Sequence, residues 1–134
     1  MIGQRAPALT PAQEREAYRI ATERDPACVR CGGHGVTRDH RQNRQRGNTR
    51  PSNLQGLCGS GTTGCHGWKT GNPEAARNTG FAVPRFADPA EWPGLRLQDG
   101  HPIWVLYDDA GGWVEITPAE AKQRIEGVED GHCE

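Results

Sequence analysis

The chain has 134 residues, a formal net charge of -1 and 34% hydrophobic residues, with 18 glycines and 10 prolines. That is enough for one domain with a small core, so something besides burial has to hold it together. No apolar run approaches the roughly 20 residues of a membrane span, and Met1 to Thr10 lacks the basic-then-apolar layout of a secretory signal, which points to a cytoplasmic location and away from membrane-embedded classes. The near-neutral total hides an asymmetry: Cys28 to Arg77 carries +6, Asn78 to Glu134 carries -7, and the first 27 residues are neutral. Charge divided this way presents a local face for a polyanion rather than a generally adhesive surface.

In chain order, Thr10-Pro11-Ala12-Gln13 combines a capping residue, a proline at the first helical position and a glutamine three after the cap, which predicts a helix from Pro11 to about Arg24. Ala17, Tyr18 and Ala21 give it an apolar face, and Asp25-Pro26 ends it because the residue before proline is driven out of the helical region. Cys28-x-x-Cys31 followed by Gly32-Gly33 then reads as a metal-binding knuckle, with Cys58 and Cys65 as its second half. In a reducing compartment such pairs are metal ligands rather than disulfides, so the four thiolates predict a structural zinc whose binding contributes folding free energy; Cys133 is left over.

Gly35 to about Arg41 is a short extended segment, and Arg41 to Arg50 is expected to be a mobile, arginine-rich loop. An ordered piece begins at Pro51, with Leu54 and Leu57 as core candidates, and Gly59 to Gly64 is a flexible turn. Cys65 to about Thr70 predicts a short helix with Trp68 facing away from His66, and Asn72-Pro73 caps another that ends near Gly80. Ile103 to Tyr107 and Trp113 to Ile116 flank Asp108-Asp109-Ala110-Gly111-Gly112 as a hairpin, and Thr117-Pro118-Ala119-Glu120 opens a final short helix.

The ordered set Cys28-x2-Cys31, Asp39-His40, Asn53-Leu54, Leu57-Cys58 and Cys65-His66 with Lys69 one turn on resembles the zinc-containing HNH endonucleases, and most of all the small HNH proteins of tailed bacteriophages of actinobacteria. The motifs span about Cys28 to Gly80. The resemblance implies an α+β fold: a small zinc-stabilised ββα-metal (His-Me finger) domain with an N-terminal helix and a C-terminal β-hairpin plus short helix. The expected division is 1–27 for the N-terminal helix, 28–80 for the nuclease core and 81–134 for an acidic C-terminal extension. It also implies metal-dependent DNA cleavage, with phage terminase in genome packaging as a partner.

Hydrolysing a phosphodiester requires a divalent cation with open positions on the scissile phosphate and a base that takes a proton from water. Asp39 and His66 suit the cation, which would be Mg2+, Mn2+ or Ni2+, and His40 suits the base. Adjacent residues of an extended segment point to opposite faces, so Asp39 and His40 serve one phosphate only if the backbone bends there. Asn53, at the family's middle motif position, would hydrogen-bond that backbone and hold His40. Arg41, Arg44, Arg46, Arg50, Lys69 and Arg77 are candidates for contacts to the DNA phosphate backbone, with low intrinsic sequence specificity.

The sequence departs from the family in the six residues between Cys58 and Cys65, which leaves His34 or His66 as alternative fourth zinc ligands. His34, His101 and His132 otherwise read as solvated. Two alternatives stand beside the nuclease: a non-catalytic zinc-bound nucleic-acid-binding module, and a restriction- or homing-type HNH enzyme.

Overall fold

The computed structural model describes residues 7–131, with side chains as far as residue 127. It is a small mixed α+β protein. The predicted first helix, α1 (Pro11–Arg24), starts with the expected reciprocal cap: the Gln13 amide donates to Thr10 Oγ1 (3.1 Å) and the Thr10 amide donates to Gln13 Oε1 (2.9 Å). It ends at Asp25, ahead of Pro26.

Strands β1 (Val36–His40) and β2 (Leu54–Cys58) form an antiparallel hairpin in which Asp39 faces Gln55 and His40 faces Leu54. The alternation of side chains divides this hairpin between two helices. Leu54 packs against Ala17, Ala21 and Tyr18 of α1, and Arg38 and His40 lie against the Tyr18 ring. On the opposite face Thr37, Asp39, Gln55 and Leu57 meet α2 (Gly64–Gly71) and the segment around Phe81. Helix α3 (Pro73–Asn78) follows, and its buried Ala76 joins Leu57, Cys65 and Phe81 in the main core cluster; Trp68, on the far side of α2 from His66 as expected, packs onto it.

The C-terminal part differs from the expected hairpin. Three strands are present, β3 (Gly94–Gln98), β4 (His101–Tyr107) and β5 (Trp113–Ile116), all antiparallel in sequential order. The unexpected strand is joined to β4 through Asp99-Gly100, both at positive φ (52° and 80°), which is the backbone of a two-residue hairpin turn. The last helix, α4 (Pro118–Gly131), has 14 residues and is not short. None of the helices among the described residues is long and apolar enough to cross a membrane.

The segment from Phe81 onward packs against the preceding part of the chain. Leu97 donates its amide to Val29 O (2.8 Å), Leu95 to Gly80 O (3.2 Å), and Phe81 is part of the core cluster. A buried charge cluster ties the two parts further: the carboxylate of Asp25 accepts from Arg24 (2.8 Å), Arg96 (2.8 Å) and the Gly56 amide (3.1 Å), and the Arg24, Arg41 and Arg96 guanidiniums surround the Tyr107 ring. His132 and Cys133 lie outside the described residues.

Candidate functional site

Four sulfurs come together first. Cys28 and Cys31 precede β1, Cys58 ends β2 and Cys65 lies in the first turn of α2, and their Sγ atoms all lie within 4.8 Å of one another. Tetrahedral zinc with Zn–S bonds of about 2.3 Å needs sulfurs about 3.8 Å apart. Cys31 and Cys58 are at 3.6 Å, so the set fits a structural zinc ion. Backbone amides point at the sulfurs: Gly33 at Cys31 (3.4 Å) and Cys65 at Cys58 (3.4 Å). Burial raises the Cys28 thiol, but backbone hydrogen bonds from Cys31, Cys58 and Arg30 outweigh it and bring it down to about 7. For Cys65 burial dominates and pushes the thiol up to about 12, although Arg30 donates to its sulfur (3.3 Å) while stacking on Trp68 (3.6 Å to the ring centre).

The long spacing between Cys58 and Cys65 is absorbed by a pinch. Ser60 and Thr63 exchange backbone hydrogen bonds (3.1 and 3.2 Å), so the loop closes on itself and its ends meet. Gly59 and Gly64 touch there at positive φ (85° and 64°); a Cβ on Gly59 would come within 2.2 Å of Thr63 O. Both thiolates therefore reach the cluster without a histidine substitute. His34 is exposed, and His66 turns the other way.

His66 turns towards Asp39, with Nε2 3.2 Å from Asp39 Oδ1. Its Nδ1 lies 2.8 Å from Thr37 Oγ1. Asp39 is almost wholly buried and is held on its other oxygen by Gln55 Nε2 (2.9 Å), which also donates to Phe81 O (2.7 Å). Lys69 Nζ sits 3.1 Å from Asp39 Oδ2 and donates to His40 O (3.0 Å). The Asp39–His66 spacing matches the edge of an octahedron around a small divalent cation, about 3.0 Å for bonds of about 2.1 Å. Two ligands from the protein would leave most of such a coordination shell for substrate and water.

His40 occupies the other face of β1. Its Nε2 lies 2.9 Å from Thr49 Oγ1, its ring meets Tyr18 edge-on, and its Nδ1 has no hydrogen-bond partner among the described residues. Burial, and next the positive charge of Arg44, hold its pKa below the ordinary 6.5, against the pull of Asp39. The expected bend is absent: β1 stays in register with β2 through His40. Asp39 and His40 reach one space because β1 ends there, and a cleft of about 700 Å³ wraps its end, lined by Arg38, Asp39, His40, His66 and Lys69 among others.

Asn53 acts one step further along than expected. Its side chain makes no hydrogen bond to His40 among the described residues, although its carbonyl accepts from the next amide, that of Arg41 (2.7 Å). Its Oδ1 accepts from the Gln42 amide (2.7 Å), and its Nδ2 donates to Gln42 O (3.1 Å) and Asn48 O (3.0 Å). The arginine-rich stretch, expected to be mobile, is thereby tied down, and Thr49 is set against His40.

The arginines divide. Arg44 and Arg77 line the cleft, together with Arg38 and Arg85. Arg41 has to be removed from the phosphate-contacting set: it is 1% exposed and donates to the carbonyls of Ser52 (2.7 Å), Pro89 (2.9 Å) and Trp92 (2.9 Å), so it is an internal tie. Arg46 is exposed away from the cleft lining. Arg50 pairs with Asp109 (3.6 Å) beside a separate groove against α1. Lys69 is committed to Asp39 and is only 11% exposed.

Thr37, Thr49 and Gln55 are site residues that sequence reasoning missed. Thr37 had a signal, since it lies two before Asp39 and so shares its face in a strand. Gln55 becomes visible only once the hairpin register opposes it to Asp39. Comparison of the chain with protein-family models, with curated proteins and with solved structures returns no match.

Proposed function

We propose that the protein is a metal-dependent DNA endonuclease of the HNH type, with a structural zinc on Cys28, Cys31, Cys58 and Cys65. The observation that carries this reading is the approach of His66 Nε2 to Asp39 Oδ1 at 3.2 Å in a cleft whose lining also includes His40, Arg38, Arg44, Arg77 and Arg85. The hairpin of β1 and β2 followed by α2 supports the ββα-metal reading of the fold, because β1 carries Asp39 and His40 at its end and α2 brings His66 against Asp39.

A divalent ion held by Asp39 and His66 would supply positive charge opposite the scissile phosphate and the leaving oxygen. The remaining roles belong to the chain. His40, kept neutral near pH 7 by burial and Arg44, accepts a proton from water at Nδ1, with Thr49 holding the other ring nitrogen. Arg38, Arg44, Arg77 and Arg85 supply charge for phosphates on either side of the scissile bond, which gives affinity without sequence preference. Gln55 keeps one Asp39 oxygen occupied so that the other faces His66.

One observation favours the second reading, a zinc-bound nucleic-acid-binding module without activity: Lys69 already neutralises Asp39 at 3.1 Å. Supercoiled plasmid separates the two. The nuclease relaxes it with Mg2+, Mn2+ or Ni2+, stops on chelation, and loses activity in His40→Ala while that variant keeps its zinc and its circular dichroism. Plasmid left intact under all three metals would establish the binding module instead.

A further inference from the structure

We infer that Thr37 is a positioning residue that selects which nitrogen of His66 binds a divalent cation. The inference rests on the reading of Asp39 and His66 as ligands, but it comes from a count of protons around one hydroxyl.

Thr37 Oγ1 has three neighbours: Gly59 O at 2.8 Å, Leu57 O at 3.3 Å and His66 Nδ1 at 2.8 Å. A hydroxyl has one proton, and carbonyl oxygens only accept. The Thr37 proton therefore goes to a carbonyl, and towards His66 the hydroxyl is an acceptor. His66 Nδ1 has to carry the hydrogen. In the neutral ring Nε2 is then a bare lone pair, and it faces a carboxylate oxygen at 3.2 Å. Two acceptors at that distance need a cation between them, either a second proton on the ring or a metal ion. Lys69 does not fill this role, because its contacts are to Asp39 and to the His40 carbonyl.

Without the hydroxyl the balance changes. The other tautomer becomes available, and its Nε2–H donates directly to Asp39 Oδ1. That internal hydrogen bond satisfies both groups and competes with the metal. Thr37 thus opposes a self-satisfied, metal-free pairing, and partners that orient a ligating histidine in this way typically alter metal affinity about 10- to 100-fold.

Two measurements test this on the zinc-loaded full chain. Mn2+ titrated calorimetrically into Thr37→Val, which preserves side-chain shape, is expected to bind about 10- to 100-fold more weakly than to wild type, with Thr37→Ser restoring affinity and zinc content equal in all three. The tautomer is read independently of any added divalent cation, by long-range 1H–15N correlation of the imidazole rings at about pH 8, above the ordinary imidazole range. His66 protonated on Nδ1 in the wild type is the expected result; protonation on Nε2 overturns the inference, even if Thr37→Val fails to fold. Equal Mn2+ affinity in wild type and Thr37→Val also overturns it while leaving the ligand pair standing. If wild type and His66→Ala bind Mn2+ equally, the ligand reading falls and takes this inference with it.

Discussion

The sulfur cluster and the Asp39–His66 pair are built from the same hairpin and the same helix, yet they have opposite designs. The first gathers four side chains of one kind around a point and is backed by Leu57, Ala76 and Phe81. The second offers two different side chains at the floor of an open cleft. A closed set of four suits an ion that never meets a substrate, whereas a set of two leaves room for one. The number of protein ligands, more than burial, separates the two centres: Cys31 is exposed although it belongs to the complete set, and Asp39 is buried although it belongs to the open one.

The largest expected effect tests the closed end. Cys65→Ser should lose zinc and most secondary structure together, since binding to such a site is worth on the order of 10 kcal/mol of folding free energy. Asp39→Asn should lose neither. Zinc content and circular dichroism on both variants check the contrast, and a folded, zinc-replete Cys65→Ser would erase it.

At the open end His40→Ala should lower plasmid nicking about 10²- to 10⁴-fold at unchanged zinc content. As the proposed base His40 would work in its neutral form, and burial and Arg44 hold its pKa below 6.5. The rate should therefore rise with pH through a midpoint below 6.5 and be level by neutrality, and a bound cation acts in the same direction. A midpoint above 6.5 in the wild type would contradict the environment described for this ring.

Arg41 and Arg44 sharpen the comparison between tie and contact. Arg41→Met leaves three carbonyls without their donor and should cost about 2–4 kcal/mol in urea unfolding, while the salt dependence of DNA binding per folded molecule stays as it was. Arg44→Ala should do the reverse. Its stability should change by less than about 0.5 kcal/mol, the salt slope of DNA affinity should fall by about 1, and the acid limb of the nicking profile should move upward as one cause of the lowered His40 pKa disappears. If the two substitutions had the same effects, burial would have been a poor guide to role.

Much of this arrangement could be read along the chain because its causes are local. The Thr10–Gln13 cap, the knuckle of Cys28 and Cys31 and the proline after Asp25 act within a few residues, and each appears where the sequence placed it. Arg41 was misread because its acceptors Pro89 and Trp92 lie 48 and 51 residues away, and nothing beside it in the chain distinguishes a buried guanidinium from a solvated one. Strand β3 had a signal in the alternation of Leu95-Arg96-Leu97-Gln98 ahead of Asp99-Gly100, but its faces are inverted relative to that pattern: Arg96 lies on the buried face, where Asp25 receives it. The separation of His66 from the sulfurs depended on the Gly59–Gly64 pinch, a backbone contact with no periodic signature.

Cys65 and His66 are consecutive residues in the first turn of one helix, and consecutive side chains on a helix diverge by about 100°. One points to the sulfurs and the other to Asp39. Zinc on the four sulfurs would thus act as a fulcrum for the neighbouring imidazole: its loss would let the turn rotate and carry His66 away from Asp39.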